Sequence, residues 1–167
     1  NKMDRAAKDP FSLMEEIEQV LGIRVSPVTW PIGTDGDFKG VYHRGEKLIE
    51  VYSGGDHGQR KADVVRGGVD DPALREYLGA HYHDKLCEDI ELLDMAGDPL
   101  DMDKVERGEL SPMFFGSAMN NFGVESFLTK FLSFTQPPCP RNSDQGPIEP
   151  TRPEFSGFIF KIQANMN

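Results

Sequence analysis

Six of the chain's 12 prolines fall between residues 135 and 154: Pro137, Pro138, Pro140, Pro147, Pro150 and Pro153. Proline fixes φ and lacks the N–H that helix interiors and central strands need, so no long regular element crosses such a stretch. The chain is therefore divided in three. Residues 1–134 form the main body, and residues 135–154 read as a semi-rigid linker. Beyond them Phe158, Phe160 and Ile162 alternate with Ile159, Lys161 and Gln163. That alternation predicts the first strand of a further, β-rich domain at residues 155–167.

Periodicity organises the main body. Asp9 and Pro10 suit an N-cap and first helical position, and Phe11, Met14, Ile17, Val20 and Leu21 follow at helical spacing before Gly22. Residues 23–30 are rich in β-formers, with Pro27 favouring an edge position. Residues 38–42 and 48–52 read as a hairpin around Arg44, Gly45 and Glu46. A polar, Gly-rich loop is expected at residues 53–71. One long helix is expected from Leu74 through Leu78, Tyr82, Leu86 and Ile90 to Leu93, slightly weakened by Gly79. A short helix over residues 101–107 follows. Met113, Phe114 and Phe115 suggest a buried strand, and Val124, Phe127, Leu128, Phe131 and Leu132 mark a last amphipathic helix.

Charge narrows the partners. A net charge of −10 repels phosphate backbones on average, so this stretch is better suited to a basic protein than to RNA. Cys87 and Cys139 lack C-x-x-C spacing and read as free thiols of a reducing compartment. No apolar run reaches the ~18–20 residues that a membrane helix requires, and no signal-peptide pattern opens the chain. The chain lacks an initiator Met and residue 1 falls within a motif, so an internal fragment is expected.

That motif is Asn1-Lys2-Met3-Asp4. A carboxylate accepts two hydrogen bonds at once, and guanine offers a matching pair of donors, its ring N–H and exocyclic amino group. Adenine has no such pair on that edge. Lys2 can lay its stem along the ring face, and Asn1 can tie the loop together or reach the base. A second motif lies 113 positions beyond Asp4, where Phe114-Phe115-Gly116-Ser117-Ala118 carries an apolar strand into a small-residue loop before a helix. Ligands of open α/β sheets sit beyond the carboxyl ends of strands, and small residues let backbone N–H groups approach them.

The two motifs together resemble the Asn-Lys-x-Asp and Ser-Ala motifs of GTPases. The wide spacing resembles elongation factor G and its relatives. Within that group the sequence is similar to the peptide chain release factor 3 family. The similarity is carried by Asn1-Lys2-Met3-Asp4-Arg5 with the Ala6-Ala7-Lys8-Asp9-Pro10 that follows, by Val28-Thr29-Trp30-Pro31-Ile32-Gly33, and by Phe38-Lys39-Gly40-Val41-Tyr42. It is carried further by the stretch from Phe114 to Val124 and by Gly157-Phe158-Ile159-Phe160-Lys161-Ile162-Gln163-Ala164-Asn165-Met166. The resemblance implies an α/β fold: the C-terminal part of a P-loop GTPase domain over residues 1–134, with an inserted α+β subdomain at about 23–110, and then the first strand of a β-barrel domain.

It further implies that the full-length protein is a cytoplasmic GTPase. Such a protein binds GTP or GDP and dissociates stop-codon-reading (class I) release factors from the ribosome. Base contacts fall on Asn1, Lys2, Asp4, Ser117 and Ala118, with the Ala118 N–H facing the guanine carbonyl oxygen. Mg²⁺, the phosphate loop and the catalytic groups are expected outside this segment, which alone should be inactive. The acidic insert is a candidate surface for a ribosomal stalk protein. Two other readings stand beside this one: a sister translation GTPase of the translocase or ribosome-protection type, and a non-enzymatic ribosome-docking module.

Other clusters favour plainer readings. Residues 33–40 lack the Gly-x-x-x-x-Gly-Lys-Ser/Thr pattern and join strands, so they read as a turn. His83, Cys87 and Glu91 share a helical face but lack a fourth metal ligand. Glu88, Asp89, Glu91 and Asp94 read as a solvated face rather than as paired catalytic carboxylates, and Trp30 reads as core.

Overall fold

The computed structural model describes residues 1–34, 36–53 and 63–164. Asp35, the Gly-rich stretch 54–62 and the final Asn165 and Met166 of the last motif lie outside the described residues. The chain forms two compact units, Asn1–Ser133 and Phe134–Asn167.

In the first unit, α1 (Pro10–Leu21) begins where Asp9 accepts the Ser12 N–H at 3.0 Å and ends at Gly22, whose φ of 66° closes the helix. Strand β1 (Arg24–Pro27) follows, and β2 (Thr29–Ile32) begins after Val28. These two strands join different sheets. Strand β1 pairs in parallel with β6 (Leu110–Met113), while β2 edges a four-stranded antiparallel sheet ordered β2-β3-β4-β5. That sheet is completed by β3 (Gly40–His43), β4 (Leu48–Ser53) and β5 (Asp63–Gly68). The hairpin of β3 and β4 is in the register the sequence suggests, with Tyr42 opposite Ile49.

Two sequence readings need correction here. Part of the expected loop at 53–71 is strand β5, whose Val65 pairs with Val51. Val64 and Val65 are its only strong β-formers, and the two glycines behind them hide the pattern. The expected long helix is two helices, α2 (Pro72–Leu78) and α3 (Ala80–Ala96), separated at Gly79. Gly79 holds φ 90° and ψ 141°, far from helical values and open to glycine at little cost. The apolar stripe continues across the break because Leu74, Leu78, Leu86 and Leu93 all face one core.

Trp30 organises that core. It is 0% exposed and packs on Phe11 at 4.6 Å and Phe115 at 5.5 Å, joining α1, β2 and the segment after β6. A buried indole N–H needs an acceptor, and Trp30 Nε1 donates to Asp89 at 3.0 Å. Asp89 thus departs from the acidic outer face expected of it. It is buried and also receives Lys85 Nζ at 2.8 Å, whereas Glu88, Glu91 and Asp94 are not buried.

A second buried carboxylate, Glu50 on β4, accepts from Tyr52 at 2.8 Å and from Arg66 at 2.7 Å. His43 Nε2 comes within 3.2 Å of it, and neither His43 ring nitrogen has a well-aligned hydrogen-bond partner among the described residues. Burial is the largest influence on Glu50 and would raise its carboxyl. The contacts from His43, Tyr52 and Arg66 outweigh it and bring the group down to about 2.

Helix α4 (Met102–Glu106), capped by Asp101, leads into β6. Helix α5 (Val124–Phe134) ends the main body, and no residue along it is buried. Phe127, Leu128, Phe131 and Leu132 remain exposed on it.

The second unit is not a bare linker. Strands β7 (Arg141–Ser143) and β8 (Gly146–Ile148) form a small antiparallel hairpin. Its turn closes on Gly146 at φ 105°, with Ser143 Oγ donating to the Gly146 carbonyl at 2.7 Å. Pro147 is tolerated because a two-stranded ribbon is all edge. Residues 157–164 form no strand, and Phe158, Ile159, Phe160 and Ile162 are exposed.

Replacing Trp30 with Ala should cost about 3–5 kcal/mol, since it opens a cavity at the junction of three elements and leaves Asp89 short of a donor. The shift of the urea unfolding midpoint measures it, and a variant as stable as the parent would remove Trp30 from this role.

Candidate functional site

The site begins with a buried methionine between polar neighbours. Met3 is 2% exposed and belongs to the main core, and its N–H donates to the Gly116 carbonyl at 3.2 Å. This anchor turns the residues beside it outward. Lys2 is exposed, with φ 68°, and the turn closes where the Arg5 N–H donates to the Lys2 carbonyl at 3.1 Å.

The opposing loop is equally compact. Ser117 is 0% exposed, and its N–H and carbonyl both bond the backbone of Phe122 at 2.9 Å. The turn between them uses Asn121 at φ 57°. Glycines flank it because the backbones touch. A side chain at Gly116 would come within 2.8 Å of the Phe122 carbonyl oxygen, and one at Gly123 within 3.0 Å of the Phe115 oxygen.

The two loops meet through two side chains. Ser117 Oγ donates to Asp4 Oδ1 at 2.5 Å. Asn1 Oδ1 accepts from the Lys2 N–H at 2.7 Å and from the Ala118 N–H at 3.1 Å. Of the two roles open to Asn1 in the sequence, tying the loop is the one its carbonyl oxygen performs. The Ala118 N–H, expected to face a guanine carbonyl oxygen, donates to Asn1 Oδ1 here. All five sequence-selected residues, Asn1, Lys2, Asp4, Ser117 and Ala118, thus belong to one corner.

Electrostatics suit Asp4 to accept hydrogen bonds. The Ser117 bond is the foremost influence holding its carboxyl below the usual range, opposed by burial and aided by a backbone bond and by Arg5. Arg5 Nε stands 3.7 Å from Asp4 Oδ2. The group is an ionised acceptor fixed at one oxygen. Beside the corner, a largely apolar cavity of about 280 Å³ opens among Asn1, the 114–118 segment, and Phe127 and Leu128 of α5.

The clusters set aside earlier do not assemble into rival sites. His83 Nδ1 and Cys87 Sγ lie 3.7 Å apart, but His83 Nε2 is engaged 2.7 Å from the Val69 carbonyl, and burial pushes the Cys87 thiol up. Among the described residues no group of three or more His, Cys, Asp or Glu could hold a metal ion. No described helix is long and apolar enough to cross a membrane. Sequence reasoning missed the Glu50 cluster. The one signal available was a charged residue inside the apolar run Leu48-Ile49-Glu50-Val51-Tyr52.

No protein-family model matches the chain. Relatives that align with all of it include three from different organisms. Peptide chain release factor 3 of Symbiobacterium thermophilum is 55% identical over 167 residues, 32% of that protein. Those of Gloeothece citriformis and Synechocystis sp. are 46% and 48% identical, each aligned over 31% of its own length. The chain therefore spans about a third of the length of the curated relatives it matches. A crystal structure of a Thermus thermophilus protein is similar at a TM-score of 0.48 and 18% identity, over 78% of this chain and 20% of that one.

Replacing Ser117 with Ala removes the main influence that lowers the Asp4 carboxyl. Its titration midpoint, followed by carboxyl carbon NMR, should move up toward the ordinary aspartate value. An unmoved midpoint would show that Ser117 does not hold Asp4.

Proposed function

We propose that this chain, related over its full length to a third of the release factor 3 proteins, is the guanine-reading part of a GTP-dependent translation termination factor. The observation that carries the reading is the meeting of Asp4 and Ser117 across 113 positions. The corner matches the chemistry of guanine. With Oδ1 of Asp4 held by Ser117, the carboxylate retains free lone pairs for the ring N–H and the exocyclic amino group. Lys2, exposed beside it, covers one face of the base, and Asn1 locks the two loops at the required separation. Binding of the carbonyl oxygen by Ala118 would require its N–H to be shared with Asn1 or released from it.

The wider architecture follows the same reading. Residues 1–134 are the C-terminal part of a P-loop GTPase domain, with an insert at about 23–110. The exposed apolar side of α5 and the cavity beside Phe114 are where the rest of that domain packs. Residues 135–154 link to a β-barrel domain that starts at about residue 155, where the exposed Phe158, Phe160 and Ile162 are suited to pair into its first strand.

The phosphate cradle, the Mg²⁺ ligands and the hydrolytic groups lie outside residues 1–167. Because phosphates supply much of the binding energy at such sites, this segment alone is inactive and holds GTP weakly. In the complete cytoplasmic protein, GTP binding and hydrolysis drive class I release factors off the ribosome. The acids Glu88, Glu91 and Asp94 on the outer side of α3 suit a basic ribosomal protein, with a stalk protein as one such partner. The relatives carry the release factor name, which favours this reading over a translocase or a ribosome-protection factor.

The test is Asp4→Asn in the full-length protein. An amide offers a donor where the carboxylate accepts, so preference should pass from GTP to XTP, whose corresponding edge carries an oxygen. A charged hydrogen bond is worth roughly 1.5–3 kcal/mol, so GTP affinity should fall about tenfold or more. An unchanged GTP-to-XTP ratio would exclude Asp4 from base recognition.

A further inference from the structure

We infer that Tyr52, oriented by Glu50, is a positioning residue for base recognition, acting through Phe122 and Ser117 on Asp4. The inference rests on the guanine-reading role of Asp4 proposed above and adds a residue far from the two motifs. Each link is a direct contact. The Tyr52 hydroxyl donates to Glu50 Oε2 at 2.8 Å, and Arg66 Nε holds the other oxygen at 2.7 Å. The Tyr52 ring stacks on Phe122 with centroids 5.1 Å apart and planes inclined by 29°. Phe38 completes a three-ring cluster, 6.3 Å from Tyr52 and 6.2 Å from Phe122. Phe122 is tied to Ser117 by two backbone hydrogen bonds of 2.9 Å. Ser117 Oγ bonds Asp4 at 2.5 Å.

The choice of residues argues for orientation rather than bulk. A phenylalanine would fill the space beside Phe122 without needing a buried acceptor. Here the sheet instead keeps a carboxylate in its interior and offers the phenol an oxygen that also lies 3.2 Å from His43 Nε2. Burying a charge is costly unless it is paired and hydrogen-bonded. What the bond adds is a fixed ring plane against the side chain that flanks the Ser117 turn. The Ser126 hydroxyl is a further neighbour of the phenol at the start of α5.

The experiment uses the full-length protein and three nucleotides, GDP, XDP and GTP. Tyr52→Leu should weaken GDP binding about tenfold, the scale of coupling between residues in one contact network. It should also lower the preference for GDP over XDP, because a displaced Asp4 reads the base edge less well. Tyr52→Phe, which keeps the stack and loses the hydroxyl bond, should fall between the parent and Tyr52→Leu. A purely structural Tyr52 would lower the thermal midpoint yet leave the base preference of the folded protein unchanged, and that result would overturn the inference.

A second measurement needs no substitution. Coupling is reciprocal, so GDP binding to the parent should slow amide hydrogen exchange in residues 48–53 as well as in 115–123. Protection confined to 115–123 would also overturn the inference. If Asp4→Asn left GTP, GDP and XDP binding unchanged, the guanine-reading role itself would fail. Loss of preference in Asp4→Asn with none in Tyr52→Leu would defeat only the positioning role.

Discussion

Parallel pairing of Arg24–Pro27 with Leu110–Met113 is the contact on which the candidate site depends. The two loops of the corner are remote in sequence, and the bonds they exchange can form only once the chain between them is closed. The pairing closes a long excursion of the chain at its base. It brings the segment that follows Asn1-Lys2-Met3-Asp4 beside the segment that precedes Ser117-Ala118. Trp30 reinforces the closure by packing against Phe11 on one side and Phe115 on the other. The Phe115 N–H adds a bond to the buried Thr29 hydroxyl at 3.0 Å.

The fold uses buried charge sparingly and supplies each case with partners. Asp89 meets an indole N–H and a lysine, and Glu50 meets a phenol, a guanidinium and an imidazole edge. A lone buried carboxylate would become protonated or unfold the site. Asp4 differs in being only partly buried, with Ser117 at one oxygen and Arg5 3.7 Å from the other.

Much of the corner was legible because its chemistry is carried by contiguous residues. Asn1-Lys2-Met3-Asp4 and Ser117-Ala118 are each short and weak alone, and it was the pair, with its resemblance to GTPase motifs, that pointed to them. Helix α1 and the hairpin of β3 and β4 were legible for similar reasons, through a cap, a stop and a clear alternation. Strand β5 was not, because Arg66, Gly67 and Gly68 supply no alternation and its pairing with β4 decides its state. The break at Gly79 was hidden by an apolar stripe that runs on through it, a case of tertiary packing overriding local spacing. The burial of Asp89 depends on Trp30, 59 positions earlier, and no single-element pattern reveals such a partner. The Glu50 cluster and the three-ring stack spring from side chains on different elements and were invisible for the same reason. The small hairpin of β7 and β8 shows that a Pro-rich stretch can still fold where Ser143 and Gly146 supply the turn.

Asp4, fixed by Ser117, is proposed to recognise guanine by accepting from two of its donors. Inosine diphosphate keeps the ring N–H and carbonyl oxygen of guanine and lacks only the exocyclic amino group. Competition between GDP and IDP for the full-length protein isolates that second bond. Losing it should leave IDP bound about tenfold or more weakly than GDP, with the difference shrinking in Ser117→Ala as Asp4 loosens. Equal affinity for GDP and IDP would contradict bidentate recognition and with it the role assigned to this corner.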